Sequence, residues 1–120
     1  MSKTYEGMLN GGGFPAPVIV SEVRDDGIGI RRPLKPRLDL FNHSPDGFAW
    51  GYGGSGPAQL ALALLADVFH GEPEGDAHAV NLHQNFKFAM IGPLDQKTGF
   101  TMTEEEIKRW VDQETKDPRP

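Results

Sequence analysis

Short β-branched runs in the first half of this chain give way to one long apolar helical block and then to two weaker helical patterns. Val18-Ile19-Val20-Ser21-Glu22-Val23-Arg24 is short and β-branched, Asp25-Asp26-Gly27 supplies a positive-φ turn, and Ile28-Gly29-Ile30-Arg31 returns. That pattern predicts a hairpin. Pro33 and Pro36 then interrupt any ladder. Leu38-Asp39-Leu40-Phe41-Asn42 alternates again, and His43-Ser44-Pro45-Asp46-Gly47 suits a type I turn. Phe48-Ala49-Trp50-Gly51-Tyr52 follows with three aromatics on one side, so a second hairpin with a core-facing return strand is expected. A helix is expected from Pro57 to about His70, with only Gln59 and Asp67 breaking the apolar residues between Ala58 and Phe69, Ser55 or Gly56 as cap and Gly71 and Pro73 as stops. A helix apolar nearly all round must be buried, and this one is the expected centre of the fold.

Asp76 can cap a second helix carrying Ala79, Leu82, Phe86, Ala89 and Met90 up to Gly92-Pro93, although Phe86-Lys87-Phe88-Ala89-Met90 also alternates as a strand would. Phe100-Thr101-Met102 is a short extended piece, and Thr103-Glu104-Glu105-Glu106 reads as a capping box opening a last helix through Ile107, Trp110 and Val111. The expected fold is α+β: a small antiparallel sheet of two hairpins packed against a buried helix and two further helices. Residues 1–17, ending in Gly11-Gly12-Gly13-Phe14-Pro15-Ala16-Pro17, are read as a flexible N-terminal segment; 18–115 form a single domain, and 116–120 a C-terminal tail.

Composition narrows the function classes. A chain of 120 residues suits one domain, and 15 glycines with 10 prolines imply much loop. The formal net charge of −5 argues against a surface that coats nucleic acid, while leaving room for a local basic patch. With no cysteine there is no disulfide framework and no thiolate metal site. No apolar leader opens the chain and no run is long enough to span a bilayer, so a cytoplasmic protein with no membrane association is expected.

The chemistry concentrates in Trp50-Gly51-Tyr52-Gly53-Gly54-Ser55-Gly56-Pro57, where four glycines in six positions lead into the apolar helix. Glycine-rich backbone exposes consecutive N–H groups, and the first donors of a helix are unpaired, which is an anion-binding geometry. Gly51-x-Gly53-x-x-Gly56 also spells the dinucleotide fingerprint, but no second parallel strand with an acidic end follows. The alternative use of the same glycines is a tight strand-to-helix corner. Arg24, Arg31, Arg32, Lys35 and Arg37 cluster just upstream; they either border the loop and neutralise phosphates or protect a sheet edge. The ligand-binding set is therefore Tyr52, Gly53, Gly54, Ser55, Gly56 and Gln59, with Arg31, Arg37 and His43 reaching the same point. Ser55 sits as a nucleophile would at an elbow, with His43 and Asp46 as base and orienter, but Pro57 breaks the G-x-S-x-G pattern and N-capping is the simpler role. His70, His78 and His83 lack helical metal-pair spacing, so no metal and no cofactor are expected.

Asn42-His43-Ser44-Pro45, Gly47-Phe48, the stretch from Trp50 to Leu62, Phe86-Lys87, Glu106-Ile107 and Trp110 together resemble a small uncharacterised family, of unknown function, associated with phage, plasmid and other prokaryotic genomes. The resemblance spans roughly residues 30–111 and brings no catalytic residues with it. It implies a context: small proteins of mobile elements often act on host machinery. The expected function is a non-enzymatic binding protein of a mobile genetic element, holding an anionic, phosphate-bearing ligand (a nucleotide or a nucleic-acid backbone) at the glycine loop. The alternative is a protein-binding inhibitor of a host defence complex, an anti-CRISPR or similar anti-defence protein.

Overall fold

The computed structural model describes residues 2–9, 11 and 13–116. Its elements are β1 (Lys3–Gly7), β2 (Val18–Val23), β3 (Gly29–Pro33), α1 (Ser55–Val68), α2 (Gly75–Phe86), a π-helical turn (Lys87–Ile91), β4 (Phe100–Thr103) and α3 (Glu104–Lys116). The expected α+β class holds: a four-stranded antiparallel sheet, in the order β3-β2-β1-β4, with three helices. The β2–β3 hairpin lies where the Asp25-Asp26-Gly27 turn predicts it, with Val20 opposite Arg32 and Glu22 opposite Ile30. Residues 117–120 of the expected tail fall outside the described residues.

Two expectations are corrected. Residues 1–17 are not all an irregular lead-in, because Lys3–Gly7 forms an inner strand that pairs with β2 on one side and β4 on the other. The glycine run follows this strand and masks it in the sequence. Its Tyr5 shares a row with Val20 and Met102, and all three are buried. The second hairpin over 38–52 does not form. Residues 38–47 are turns and irregular backbone, and the return segment keeps only one bridge, Phe48 to Ala16. Of its aromatics, Phe48 and Trp50 are buried as expected while Tyr52 is exposed.

α1 is the buried helix the apolar block predicts: every residue from Gly56 to Ala66 is buried. Trp50 wedges in beside it, its ring edge-on to Phe14 and Phe100 and its indole N–H donated to the Thr98 carbonyl at 2.9 Å. The capping box also forms. Thr103 Oγ1 accepts the Glu106 N–H at 3.1 Å, and Glu106 Oε1 accepts the Thr103 N–H at 3.0 Å. At the far end of α1, Asp67 accepts hydrogen bonds from Tyr5 (2.7 Å) and Arg32 (2.9 Å) and pairs with Lys3 (3.1 Å), tying β1 and β3 to the helix. In the stretch 86–91, ambiguous in sequence, Phe86 ends α2 and Lys87–Ile91 is the π-turn, closed by the Gly92 N–H donated to the Lys87 carbonyl at 2.8 Å. No helix among the described residues is long and apolar enough to cross a membrane.

Candidate functional site: the glycine corner and the π-turn

The glycine loop is a corner pinned to the π-turn. The Gly51 N–H is donated to the Ile91 carbonyl at 3.1 Å. Gly51 has φ +90°, and a Cβ there would fall 2.5 to 2.8 Å from Gln96, so only glycine fits. Gly56 lies against Ala49 in the same way, with ordinary backbone. Gly54 is different. As N-cap it has φ −101°, so the positive φ on which a nest would depend is absent there, and the nearest obstacle to a side chain is the exposed Tyr52 ring. Gly51→Ala is therefore expected to destabilise the fold by about 2–3 kcal/mol, through left-handed strain and overlap with the Gln96 backbone. Gly54→Ala should cost under about 1 kcal/mol, since a surface ring can turn aside. Equal losses of thermal stability in the two variants would contradict this division.

The donors that remain are those of a helix N-terminus. Ala58 N–H is taken by the Gly54 carbonyl, and Pro57 has none. The N–H groups of Gly53, Gly54, Ser55 and Gly56 have no acceptor among the described residues. No side chain caps α1, and its first turn carries no acidic residue. Ser55 is the first residue of the helix rather than its cap. The dinucleotide fingerprint lacks its context, because the sheet is antiparallel throughout.

Around this end of α1 the structure gathers residues that sequence reasoning passed over. Phe88 is 65% exposed and its ring edge would meet a Cβ on Gly53 at 3.7 Å. The Lys87 ammonium lies 4.1 Å from the centroid of that ring. Lys87 is 7% exposed as a residue, but no buried side-chain nitrogen or oxygen is without a partner among the described residues, so its ammonium reaches solvent. His43 Nε2 lies 2.9 Å from His83 Nε2, and the His83 Nδ1 is 2.6 Å from the Val80 carbonyl. Phe41, half exposed, stacks on the His43 ring at 4.2 Å. Burial, then the charges of His83 and Lys87, hold the His43 imidazole below its ordinary range. His43 thus turns to His83, not to Ser55, and no serine–histidine pair forms. The signal for the missed residues was present: His83, Lys87 and Ile91 recur every fourth position and share one buried helical stripe.

Gln59 is placed beside the corner but its side chain is occupied. It is fully buried; its carbonyl accepts the His43 and Ser44 N–H groups at 2.8 and 3.1 Å, and its amide donates to the Pro36 and Phe41 carbonyls at 2.6 and 3.0 Å. It shapes the loop that presents Phe41 and His43 instead of reaching a ligand. Nor does the basic cluster border the corner. Arg31 lies exposed on β3, 3.9 Å from Glu6. Arg37 forks between Asp39 and Asp76, which raises its pKa by hydrogen bonds to both carboxylates, and Asp76 opens α2 roughly 16 Å along the helix from Lys87. Arg32 is engaged with Asp67 and Arg24 with Asp26. Arg32, Lys35 and Arg37 instead line a concavity of about 820 Å³ at the opposite end of α1, together with Asp67, Glu72 and Asp76. Its signs of charge are mixed and its arginines are already paired. Among the described residues no group of three or more His, Asp or Glu could hold a metal ion.

No curated protein and no solved structure matches the chain. A family does match, over residues 18–113, which takes in β2, β3, α1, α2, β4, α3 as far as Gln113 and every residue of the glycine corner. The chain belongs to DUF6166, a family of unknown function.

Proposed function

We propose that the protein is a binding module that holds an anionic, phosphate-bearing ligand where the uncapped N-terminus of α1 meets Lys87. The observation that carries this reading is the uncapped N-terminus of α1, with no acidic residue in its first turn. Among the described residues the part-buried Lys3 and Arg37 both sit on carboxylates, whereas Lys87 packs its stem in the fold and leaves its ammonium reaching solvent without a carboxylate beside it. Its ammonium stacks on Phe88, whose ring edge lies beside Gly53 at the N-terminal end of α1, where the helix dipole favours negative charge. Phe41, Tyr52 and Phe88 stand exposed around it and offer faces to a base or another planar group. Following the resemblance of its glycine stretch, we read the module as one carried by a mobile genetic element.

Calorimetric titration with a nucleoside monophosphate tests this. Lys87→Met keeps the apolar stem and removes the charge, so affinity should fall about tenfold or more, the worth of one charge-assisted hydrogen bond, with stability preserved. Arg31→Ala, on the remote face of the sheet, should leave binding unchanged. If neither inorganic phosphate nor nucleotide binds, the reading is wrong. The same three exposed aromatics then favour the second reading, an inhibitor that docks on a protein of a host defence complex.

A further inference from the structure

β3 is the outer strand of the sheet, and two bonds beyond its ends fix the phase of its ladder. The Arg24 N–H is donated to the Ile28 carbonyl and the Leu34 N–H to the Val18 carbonyl, each at 2.8 Å. In an antiparallel ladder alternate residues exchange both bonds with the neighbouring strand, and those between them point away from it. Ile28, Ile30, Arg32 and Leu34 therefore spend their backbone groups on β2, and those of Gly29, Arg31 and Pro33 face outward. Pro33 falls in the outward phase, which lets a proline sit in this strand without costing the sheet a bond. Gly29 and Arg31 each present an N–H and a carbonyl, and Pro33 a carbonyl alone, with no hydrogen-bond partner among the described residues. Nothing covers this edge: Gly29, Ile30, Arg31 and Pro33 are exposed, and a Cβ on Gly29 would meet no atom within 4 Å.

The side chains decide what such an edge accepts. Ile28 and Ile30 are exposed and lie on the helix side of the sheet, the side of Val20 and Arg32. Arg31 stands on the open side, mostly exposed, with Glu6 no closer than 3.9 Å. β3 contains no carboxylate, and Lys35 just beyond it is also exposed. Opposite charges across a strand pair stabilise it and like charges destabilise it. Two copies of β3 side by side would set two Arg31 side chains on one face of the seam with no acid between them.

We propose that the β3 edge takes an extended acidic segment of a partner protein as a fifth strand, antiparallel to β3. The sheet is antiparallel throughout, and antiparallel pairing is the more stable per residue. Main-chain bonds to Gly29, Arg31 and Pro33 hold the segment, as in other strand additions. A carboxylate of the segment directly opposite Arg31 pairs with it on the open side. Apolar residues at the alternate positions meet Ile28 and Ile30 in the close, non-hydrogen-bonded pairs of the new ladder. The seam uses no residue of the glycine corner, so it stands or falls apart from the anion site.

The experiment titrates the full chain by calorimetry with a blocked peptide, acetyl-Thr-Val-Glu-Val-Glu-Val-Thr-amide. Saturable binding is expected, about tenfold weaker when both glutamates are replaced by lysine. N-methylation of the glutamate amides, which point at β3, should abolish binding. The same change at the valine amides, which point away, should leave affinity within about threefold. Arg31→Glu should reverse the preference and favour the lysine peptide. Gly29→Pro removes an outward N–H that the ladder to β2 does not use, so the fold should persist while the glutamate peptide binds about fivefold more weakly. No binding of the glutamate peptide to the wild type at millimolar concentration overturns the proposal. Equal affinities for the two peptides, or equal effects of the two methylation patterns, overturn it too. A concentration-dependent dimer of the wild-type chain that Gly29→Pro abolishes would give the edge to a second copy, and would likewise overturn the acidic partner.

Discussion

Gln59→Leu is expected to destabilise the domain by about 3–4 kcal/mol, although it replaces a polar residue in a buried helix with a better helix former of similar size. The apolar side chain would leave two N–H groups, of His43 and Ser44, and two carbonyls, of Pro36 and Phe41, without the partners they now have. Each buried backbone group left unpaired costs about 1–3 kcal/mol, tempered where the loop can swing toward water. For a domain of this size the loss corresponds to a fall in Tm of roughly 15–25 °C. Gln59→Glu should fall between, since it keeps the acceptor for His43 and Ser44 and loses the donor to Pro36 and Phe41. Thermal denaturation with a Tm within a few degrees of wild type in Gln59→Leu would contradict the role given to this residue. Anion affinity should fall in the same variant, because the loop carrying Phe41 and His43 loses its anchor.

Asp67→Asn is expected to cost about 3 kcal/mol at neutral pH, by leaving Lys3 and Arg32 facing a neutral amide. Burial alone would raise the Asp67 carboxyl, but hydrogen bonds from Tyr5, Lys3 and Arg32 and the charge of Lys3 outweigh it, and its pKa lies below the ordinary 3.8. A carboxyl depressed on folding stabilises fully above its unfolded pKa, and that contribution is lost as pH falls through the folded value. The difference between wild type and Asp67→Asn should therefore be constant from pH 7 to about pH 5 and narrow steadily below about pH 4. Denaturant melts across this range decide the matter. A difference that stayed constant to pH 2 would mean the network contributes nothing through its charge.

Much of the fold was legible because local signals and tertiary packing agreed. The apolar block of α1, the Thr103–Glu106 capping box and the Asp25-Asp26-Gly27 hairpin all formed where their residues predict them. The failures share a cause: partners distant in sequence. Leu38-Asp39-Leu40-Phe41 alternates like a strand, but its neighbours' backbone bonds go to the Gln59 side chain and not to a ladder. Gln59 stood out correctly as a polar break in an apolar helix, yet nothing local distinguishes a residue that binds the protein's own backbone from one that binds a ligand. β1 was hidden because its partners begin at Val18 and Phe100, beyond a glycine-rich stretch. For the candidate site, the loop residues Tyr52 to Gly56 and His43 were named, while Lys87, Phe88 and His83 were not. Their nearness to the corner depends on how α2 folds back along α1.

The inner place of β1 bears on how the domain assembles. The backbone N–H of Lys3 is donated to Glu104 at 3.2 Å, 101 positions further along, and the β1–β4 ladder spans nearly the same distance. β1 thus waits for β4, and the sheet is completed only once the chain has been made through Thr103. Closing so long a loop costs entropy before any contact repays it, and folds dominated by such pairings form slowly. Until then β2 and β3 form a hairpin whose inner edge is open to any other extended chain, so the interval before β1 and β4 settle is when this protein is most exposed to aggregation.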